Sequence, residues 1–309
     1  TYQFLRREKL WRSQSTEEVK MPFILTNPRK NGFTRGSVRR LLLVGNTLAY
    51  PVLGLFLSFS TSWAADNSVE IDLKGNSNIY IDQIGSGNTA RVWCGLSNGT
   101  YDTHTCSSAT IRLSQTGDDN LAKAYSQYTN HQSNEYSITQ DGSSNVGYID
   151  ADEDNNEMTV TQDGDDMEAN IYMSGDDNVY QIAQSGTGDH YAKFSAFGDD
   201  STWTATQSGS GNHNAYIKSC GNCNNNDATI TQSGSGNKDG DIEFRNNPAD
   251  NSTVNLTQSG NGAHVGNIRV QQGNYTVNAT QTGTSVKNYT VVLDCTSSCN
   301  KTITVNQFD

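Results

Sequence analysis

The sequence predicts an all-β fold: a β-solenoid of about ten strand–turn–strand rungs that forms two stacked parallel sheets. Three observations point there. The stretch Thr206-Gln207-Ser208-Gly209-Ser210-Gly211-Asn212 returns as Thr231-Gln232-Ser233-Gly234-Ser235-Gly236-Asn237. The same glutamine recurs at Gln83, Gln115, Gln140, Gln162, Gln184, Gln207, Gln232, Gln258, Gln281 and Gln307, at steps of 32, 25, 22, 22, 23, 25, 26, 23 and 26 residues. Steps of this size mark a coil in which each repeat stacks on the last. Finally, apolar residues stand two and four places before each glutamine with polar ones between, as in Tyr136/Ile138, Met158/Val160 and Val254/Leu256. That period of two belongs to a strand with one buried face.

By the same parity each glutamine points inward. Ten inward amides stacked about 4.8 Å apart can hand hydrogen bonds from rung to rung, which offsets the cost of burying them. Gly85, Gly117, Gly142, Gly164, Gly186, Gly209, Gly234, Gly260 and Gly283 stand two places after a glutamine. They are expected to supply a turn with positive φ. A second arm follows each turn, with apolar positions such as Ala169/Ile171 and Ala215/Ile217; from about Phe194 these sit one residue later. The turn there is expected to have gained a residue.

Taken in order, the chain divides into three. Residues 1–20 are basic and featureless, and Glu17-Glu18-Val19 is encodable by a purine-rich run resembling a ribosome-binding site; Met21 is the expected start and 1–20 a non-native leader. Residues 21–64 have the plan of a signal peptide: Arg29, Lys30, Arg35, Arg39 and Arg40, then an apolar run from Leu41 to Phe59, then Ser62-Trp63-Ala64 at the expected cleavage site. Asn46 and Pro51 inside the run argue against a retained anchor, and no membrane insertion is expected of the mature chain. Residues 65–309 are the repeat domain.

Charge narrows the partners. The whole chain carries −12, but ten of the 21 basic and only three of the 33 acidic residues precede Ala65; residues 65–309 hold 11 basic and 30 acidic residues, a net −19. So acidic a domain makes nucleic acid a poor partner, and none is expected. The acidic residues gather in turns and arcs (Asp118-Asp119, Asp152-Glu153-Asp154, Asp176-Asp177), where they favour solubility and oppose premature stacking.

Val69, Ile71 and Leu73 alternate like a second arm lacking a first, and Ile303 and Val305 belong to a first arm lacking a second. Joining the tail of one molecule to the head of the next would complete a rung across the joint. These five residues are the expected assembly edges of a head-to-tail homopolymer.

A small polar residue six before the glutamine (Ser77, Asn134, Asn156, Ser201) and the Gln-x-Gly-x-x-Asn pattern ending at turn asparagines Asn88, Asn120, Asn145, Asn212 and Asn237 resemble the curlin repeat of bacterial curli fibres. Ala151, Lys218 and Glu243 replace that family's second glutamine. The resemblance covers most of residues 68–309. It implies a secreted, extracellular, cell-surface fibre subunit, a functional amyloid supporting biofilm matrix and adhesion. It also implies a nucleator subunit and an outer-membrane secretion pore as partners.

All six cysteines lie beyond the leader as close pairs, Cys94 with Cys106, Cys220 with Cys223 and Cys295 with Cys299, each in the arc after a second arm. Local disulfides in an oxidising compartment are expected, with bridges between molecules left open. Cys220-x-x-Cys223 lacks the further ligands of a zinc site. The histidines His104, His131, His190, His213 and His264 are expected to be solvated turn residues. The carboxylates spread along the edges without converging, so no enzyme, catalytic residue, metal or cofactor is expected. The alternative is an ice-binding or calcium-binding β-solenoid adhesin. Outward Thr-x-Thr pairs (Thr159/Thr161, Thr204/Thr206, Thr229/Thr231) favour the ice-binding reading, and paired turn aspartates the calcium-binding one.

Overall fold

A computed structural model of the chain describes residues 39–44, 55–58 and 67–309, the last with gaps at 75–77, 95, 98–99, 102–107, 188, 221–223, 246–250, 272, 285 and 295–299. They belong to one compact unit, Gly36–Asp309. Residues 1–20 and most of 21–64 lie outside the described residues.

The chain coils into two parallel sheets of eleven strands each, and successive strands of one sheet alternate along the chain with those of the other. The glutamine sheet runs from Leu55–Ser58 and Asn78–Asp82 through Glu135–Thr139, Glu157–Thr161 and Thr202–Thr206 to Lys301–Gln307; the return sheet runs from Arg39–Val44 and Val69–Lys74 to Lys287–Asp294. Register is set by the inward residues. Ile138 pairs with Val160, and Val160 with Ile182. A slip of one residue would turn every buried side chain to solvent, so alternation in each rung fixes the alignment of the next. Between the sheets lies a core with Ile79, Ile111, Ile138, Val160, Ile182, Ile217 and Ile230 fully buried. Larger side chains share space across rungs: Trp203 packs against Phe244 at 5.4 Å between ring centroids, and Phe244 against Tyr275 at 5.9 Å.

The uneven steps between glutamines have local causes. The longest, from Gln83 to Gln115, holds a small antiparallel hairpin, Leu96–Ser97 with Thr100–Tyr101. The next holds an eleven-residue return strand, Ala122–Gln132, whose pairing with Gly147–Asp154 shifts register between Asp152 and Asp154. The arcs therefore absorb insertions while the arms stay in line.

One expectation about the turns is corrected. Of the glycines two places after the glutamine, only Gly283 has positive φ (71°). The strained conformation falls on the next residue instead: Ser86 (74°), Asp118 (83°), Ser143 (90°) and Asp165 (77°). A Cβ on Gly117 or Gly209 would meet nothing within 4 Å, so neither space nor φ explains glycine there. Gly236 differs, with φ of 120° and the Gly211 carbonyl oxygen 2.2 Å from where a Cβ would stand.

At the amino-terminal edge, strands precede Val69. Arg39–Val44 pairs in parallel with Val69–Lys74, and Leu55–Ser58 with Asn78–Asp82, which adds a complete rung ahead of the expected half rung. With those strands in place Val69, Ile71 and Leu73 are buried at 5%, 0% and 0% exposure. The register places Leu41 and Leu43 opposite Ile71 and Leu73, and Leu55 and Leu57 opposite Ile79 and Ile81.

Candidate functional site

The candidate site is a set of side-chain ladders running along the solenoid axis, together with the strand that ends them. The glutamine sits at the close of each first arm, and parity turns it into the corner between the sheets. Each Nε2 donates to the Oε1 of the next rung's glutamine: Gln83 to Gln115 (2.6 Å), Gln115 to Gln140 (2.7 Å), Gln140 to Gln162 (2.6 Å) and Gln162 to Gln184 (2.8 Å). The chain of bonds continues from Gln184 to Gln207 (2.7 Å), Gln207 to Gln232 (2.8 Å), Gln232 to Gln258 (2.8 Å) and Gln258 to Gln281 (3.0 Å). All nine are buried. In-register stacking gives each amide one donor and one acceptor neighbour, and aligned amide dipoles polarise one another. Gln307 aligns with Gln281 in register yet is exposed, with no return strand following it among the described residues.

Two further ladders flank this one. The small polar residue six before the glutamine accepts a backbone N–H from the rung before it. Asn156 takes that of Asn134 (2.7 Å), Asn178 that of Asn156 (2.7 Å) and Asn226 that of Ser201 (2.6 Å). The motif showed the residue type, but its bonding role needed the inter-rung geometry. On the arc, Asp154 accepts from the amide of Asp176 (2.8 Å), Asp176 from Asp199 (2.7 Å) and Asp199 from Asn224 (2.8 Å). These carboxylates thus have a structural role beyond solubility.

The turn asparagines split into two groups. Asn88, Asn120 and Asn145 are buried and linked, Asn120 donating to Asn88 (2.8 Å) and Asn145 to Asn120 (2.6 Å). Asn212 and Asn237 are exposed. From Gln184 onward the turn is one residue longer, since Glu168 pairs with Tyr191 and Ala169 with Ala192. The inward corner position therefore passes to the next residue: His190, His213, Lys238 and His264, each at 1% exposure or less. The expectation that the histidines are solvated is wrong for these three.

The imidazoles of His190 and His213 stack at 4.5 Å between centroids. Each Nε2–H donates to a turn carbonyl: His213 to Gly234 (3.2 Å), His190 to Ser185 and His264 to Ser259. Nδ1 of His213 and of His264 has no hydrogen-bond partner. The Lys238 ammonium donates to the carbonyls of Gly236 (3.2 Å) and Gly260 (3.0 Å). Burial, then His190, lowers the pKa of His213 to about 4, and burial lowers those of His264 and Lys238. At neutral pH His213 and His264 are neutral rings on either side of a lysine held by two carbonyls.

Cys94 is buried and disulfide-bonded. The side chains of Cys106, Cys220, Cys223, Cys295 and Cys299 lie outside the described residues, as do His104 and His131. At the far end, Ile303 and Val305 keep the inward register of Val277 and Ala279 yet are 43% and 41% exposed.

The class defined by these features is a parallel β-solenoid held by buried amide ladders. More particularly, a family model, the curlin associated repeat, matches residues 132–164, the rung around Gln140 and the approach to Gln162. The chain carries a curlin repeat. No curated protein and no solved structure matches the chain.

Proposed function

We propose that the chain is the structural subunit of a secreted bacterial extracellular fibre, a curli-like functional amyloid that grows by rung stacking and supports biofilm matrix and adhesion. One observation carries this reading: the Lys301–Gln307 strand repeats the inward pattern of its neighbour, yet Ile303 and Val305 are 43% and 41% exposed and Gln307 is exposed. Its apolar and amide groups are matched to a return strand, the kind of element at the other end of the same coil. Removal of residues up to Ala64 as a signal peptide would uncover that complement at Val69, Ile71 and Leu73. A second copy then continues the glutamine ladder through Gln307 to Gln83. A nucleator subunit and an outer-membrane pore belong to the same proposal, as do local disulfides pairing Cys94 with Cys106, Cys220 with Cys223 and Cys295 with Cys299.

The test is fibre growth by protein beginning at Ala65, oxidised and concentrated, followed by electron microscopy and fibre diffraction. Filaments with a meridional reflection near 4.8 Å are expected, about the spacing of strands stacked along the axis. Protein that stays a single soluble particle overturns the reading.

A second reading, ice binding, is favoured by the outer face of the glutamine sheet. Over its last five rungs the outward residues are Thr202, Thr204, Thr206, Asp227, Thr229, Thr231, Thr253, Asn255, Thr257, Thr276, Asn278, Thr280, Thr302, Thr304 and Asn306. Rigid β-branched side chains held in register present hydroxyls and methyls at regular steps. Thermal hysteresis of the unpolymerised protein tests it, and its absence rejects it.

A further inference from the structure

The outward aromatics of the return sheet form one array, although the strand register alone would break it. Trp93 pairs with Tyr125, Tyr125 with Asp150 and Asp150 with Tyr172, so a carboxylate takes one place in a column of rings. Tyr148 belongs to the neighbouring column, where it pairs with Lys123 and Asn170. Its ring leans across into the gap that Asp150 leaves. Trp93 stacks on Tyr125 (5.7 Å between centroids, interplanar 8°), Tyr125 meets Tyr148 (5.4 Å), and Tyr148 meets Tyr172 (5.4 Å). The Tyr148 hydroxyl donates to the Asp150 carboxylate (3.1 Å). All four rings are part-exposed.

This arrangement bears on the loss of an electron. Rings at these separations are in contact, so a vacancy formed on one passes readily to the next. A phenol gives up an electron most easily when its proton can leave at the same time, and a carboxylate already bonded to the O–H is placed to take it. Asp150 is so placed for Tyr148. The Lys123 ammonium, 5.2 Å from the Tyr148 centroid, acts against electron loss, and the Asp150 charge opposes it. Tyr172 is placed the other way round. Its hydroxyl accepts from the Lys193 ammonium (2.8 Å), which lies 4.9 Å from its ring centroid. The Tyr148 hydroxyl thus faces a proton acceptor and the Tyr172 hydroxyl a proton donor, which leaves Tyr125 as the better partner for Tyr148.

We infer that Tyr125 and Tyr148 are a site of oxidative modification, joined as dityrosine when the folded chain meets a one-electron oxidant. The oxidant takes one electron from Tyr148, whose O–H proton passes to Asp150, leaving a neutral tyrosyl radical. A second oxidation makes the same radical at Tyr125, its proton going to water. The radicals couple through ring carbons ortho to oxygen, and the hydrogens on those carbons move to the oxygens as both phenols re-form. Two electrons and two protons leave, and one C–C bond is made. Holding the rings together in the fold makes this coupling effectively unimolecular. The bond ties Ala122–Gln132 to Gly147–Asp154 through residues 23 apart in the sequence. It restrains the unfolded chain as a disulfide does, but thiols cannot reduce it. The site lies within one subunit and does not depend on polymerisation.

The experiment illuminates dilute, unpolymerised full chain with ruthenium tris-bipyridine and persulfate as the one-electron oxidant. Dityrosine fluorescence and mass spectrometry of the digested monomer identify the linked peptides. The main link within the chain is expected to join the Tyr125 and Tyr148 peptides, whereas chain unfolded in urea should scatter its links among the tyrosines. Tyr148→Phe should abolish the main link. Asp150→Asn keeps an acceptor for the Tyr148 hydroxyl but removes the base, and should cut the yield about tenfold. Tyr191→Phe should leave the yield unchanged, since Tyr191 makes no ring contact among the described residues. Circular dichroism checks that each variant keeps its strands. No dityrosine within the chain, the same mixture of links from folded and unfolded chain, or an Asp150→Asn yield equal to wild type overturns the inference. None of these outcomes touches the fibre reading.

Discussion

His190 and His213 stack face to face, 4.5 Å apart, in the corner where Asn120 donates to Asn88 nearer the amino terminus. Corner chemistry thus changes from neutral amides to titratable rings partway along one continuous coil. Acid should act on the second half first. The groups facing His213 are His190 on one side and Lys238 on the other, and His264 lies between Lys238 and Lys287. The folded-state pKa of His213 is lowered from 6.5 to about 4. The unfolded chain therefore binds more protons between these values, and stability falls as pH drops through that window. Denaturant midpoints at about pH 7 and about pH 4.5 should differ, and His213→Leu should narrow the difference. Identical pH dependence in wild type and variant would sink the assignment.

The glutamine ladder predicts a contrast along one column. Gln162→Leu leaves the Gln140 amide without its acceptor and Gln184 without its donor, which should cost about 2–5 kcal/mol. Gln307→Leu, at an exposed position, should change stability by less than about 0.5 kcal/mol. Urea midpoints, with hydrogen exchange to locate the loosened rungs, provide the check.

Growth should depend on the two ends rather than on the middle. Ile303→Lys with Val305→Lys should suppress fibre elongation while leaving the monomer's melting temperature within a degree or two, since both side chains are already exposed. Protein retaining residues 39–58 should elongate more slowly than protein beginning at Ala65, because those strands occupy Val69–Lys74 and Asn78–Asp82. Equal elongation rates would show that this edge takes no part.

Two glycines should respond oppositely to alanine. At Gly236 a Cβ would lie 2.2 Å from the Gly211 carbonyl oxygen at φ of 120°, and the substitution should destabilise by about 1–3 kcal/mol. At Gly117 nothing lies within 4 Å and φ is not positive, so alanine should be neutral or stabilise by up to about 1 kcal/mol. Thermal melts of the two variants separate these outcomes.

The histidine corner was misjudged from sequence for a physical reason. The later second-arm positions from about Phe194 already imply a turn one residue longer, but only the inter-rung register shows that the inward corner passes from Asn212 to His213. The same holds for Gly117, whose motif position suggested positive φ while Asp118 took it. The return-face aromatics were also hidden. Trp93 and Tyr125 are 32 residues apart, and only the register brings them together.

By itself the sequence determined the period, the alternation and the inward glutamine in each repeat, because these are one-dimensional properties that every copy states again. The tertiary structure alone decided what stacks on what across the arcs: which corner residue is buried, and that strands of the apolar run before Ala64 pair in parallel with the first repeat. Those outcomes depend on the lengths of turns and arcs, and a single inserted residue there redirects a side chain without disturbing the periodic signal.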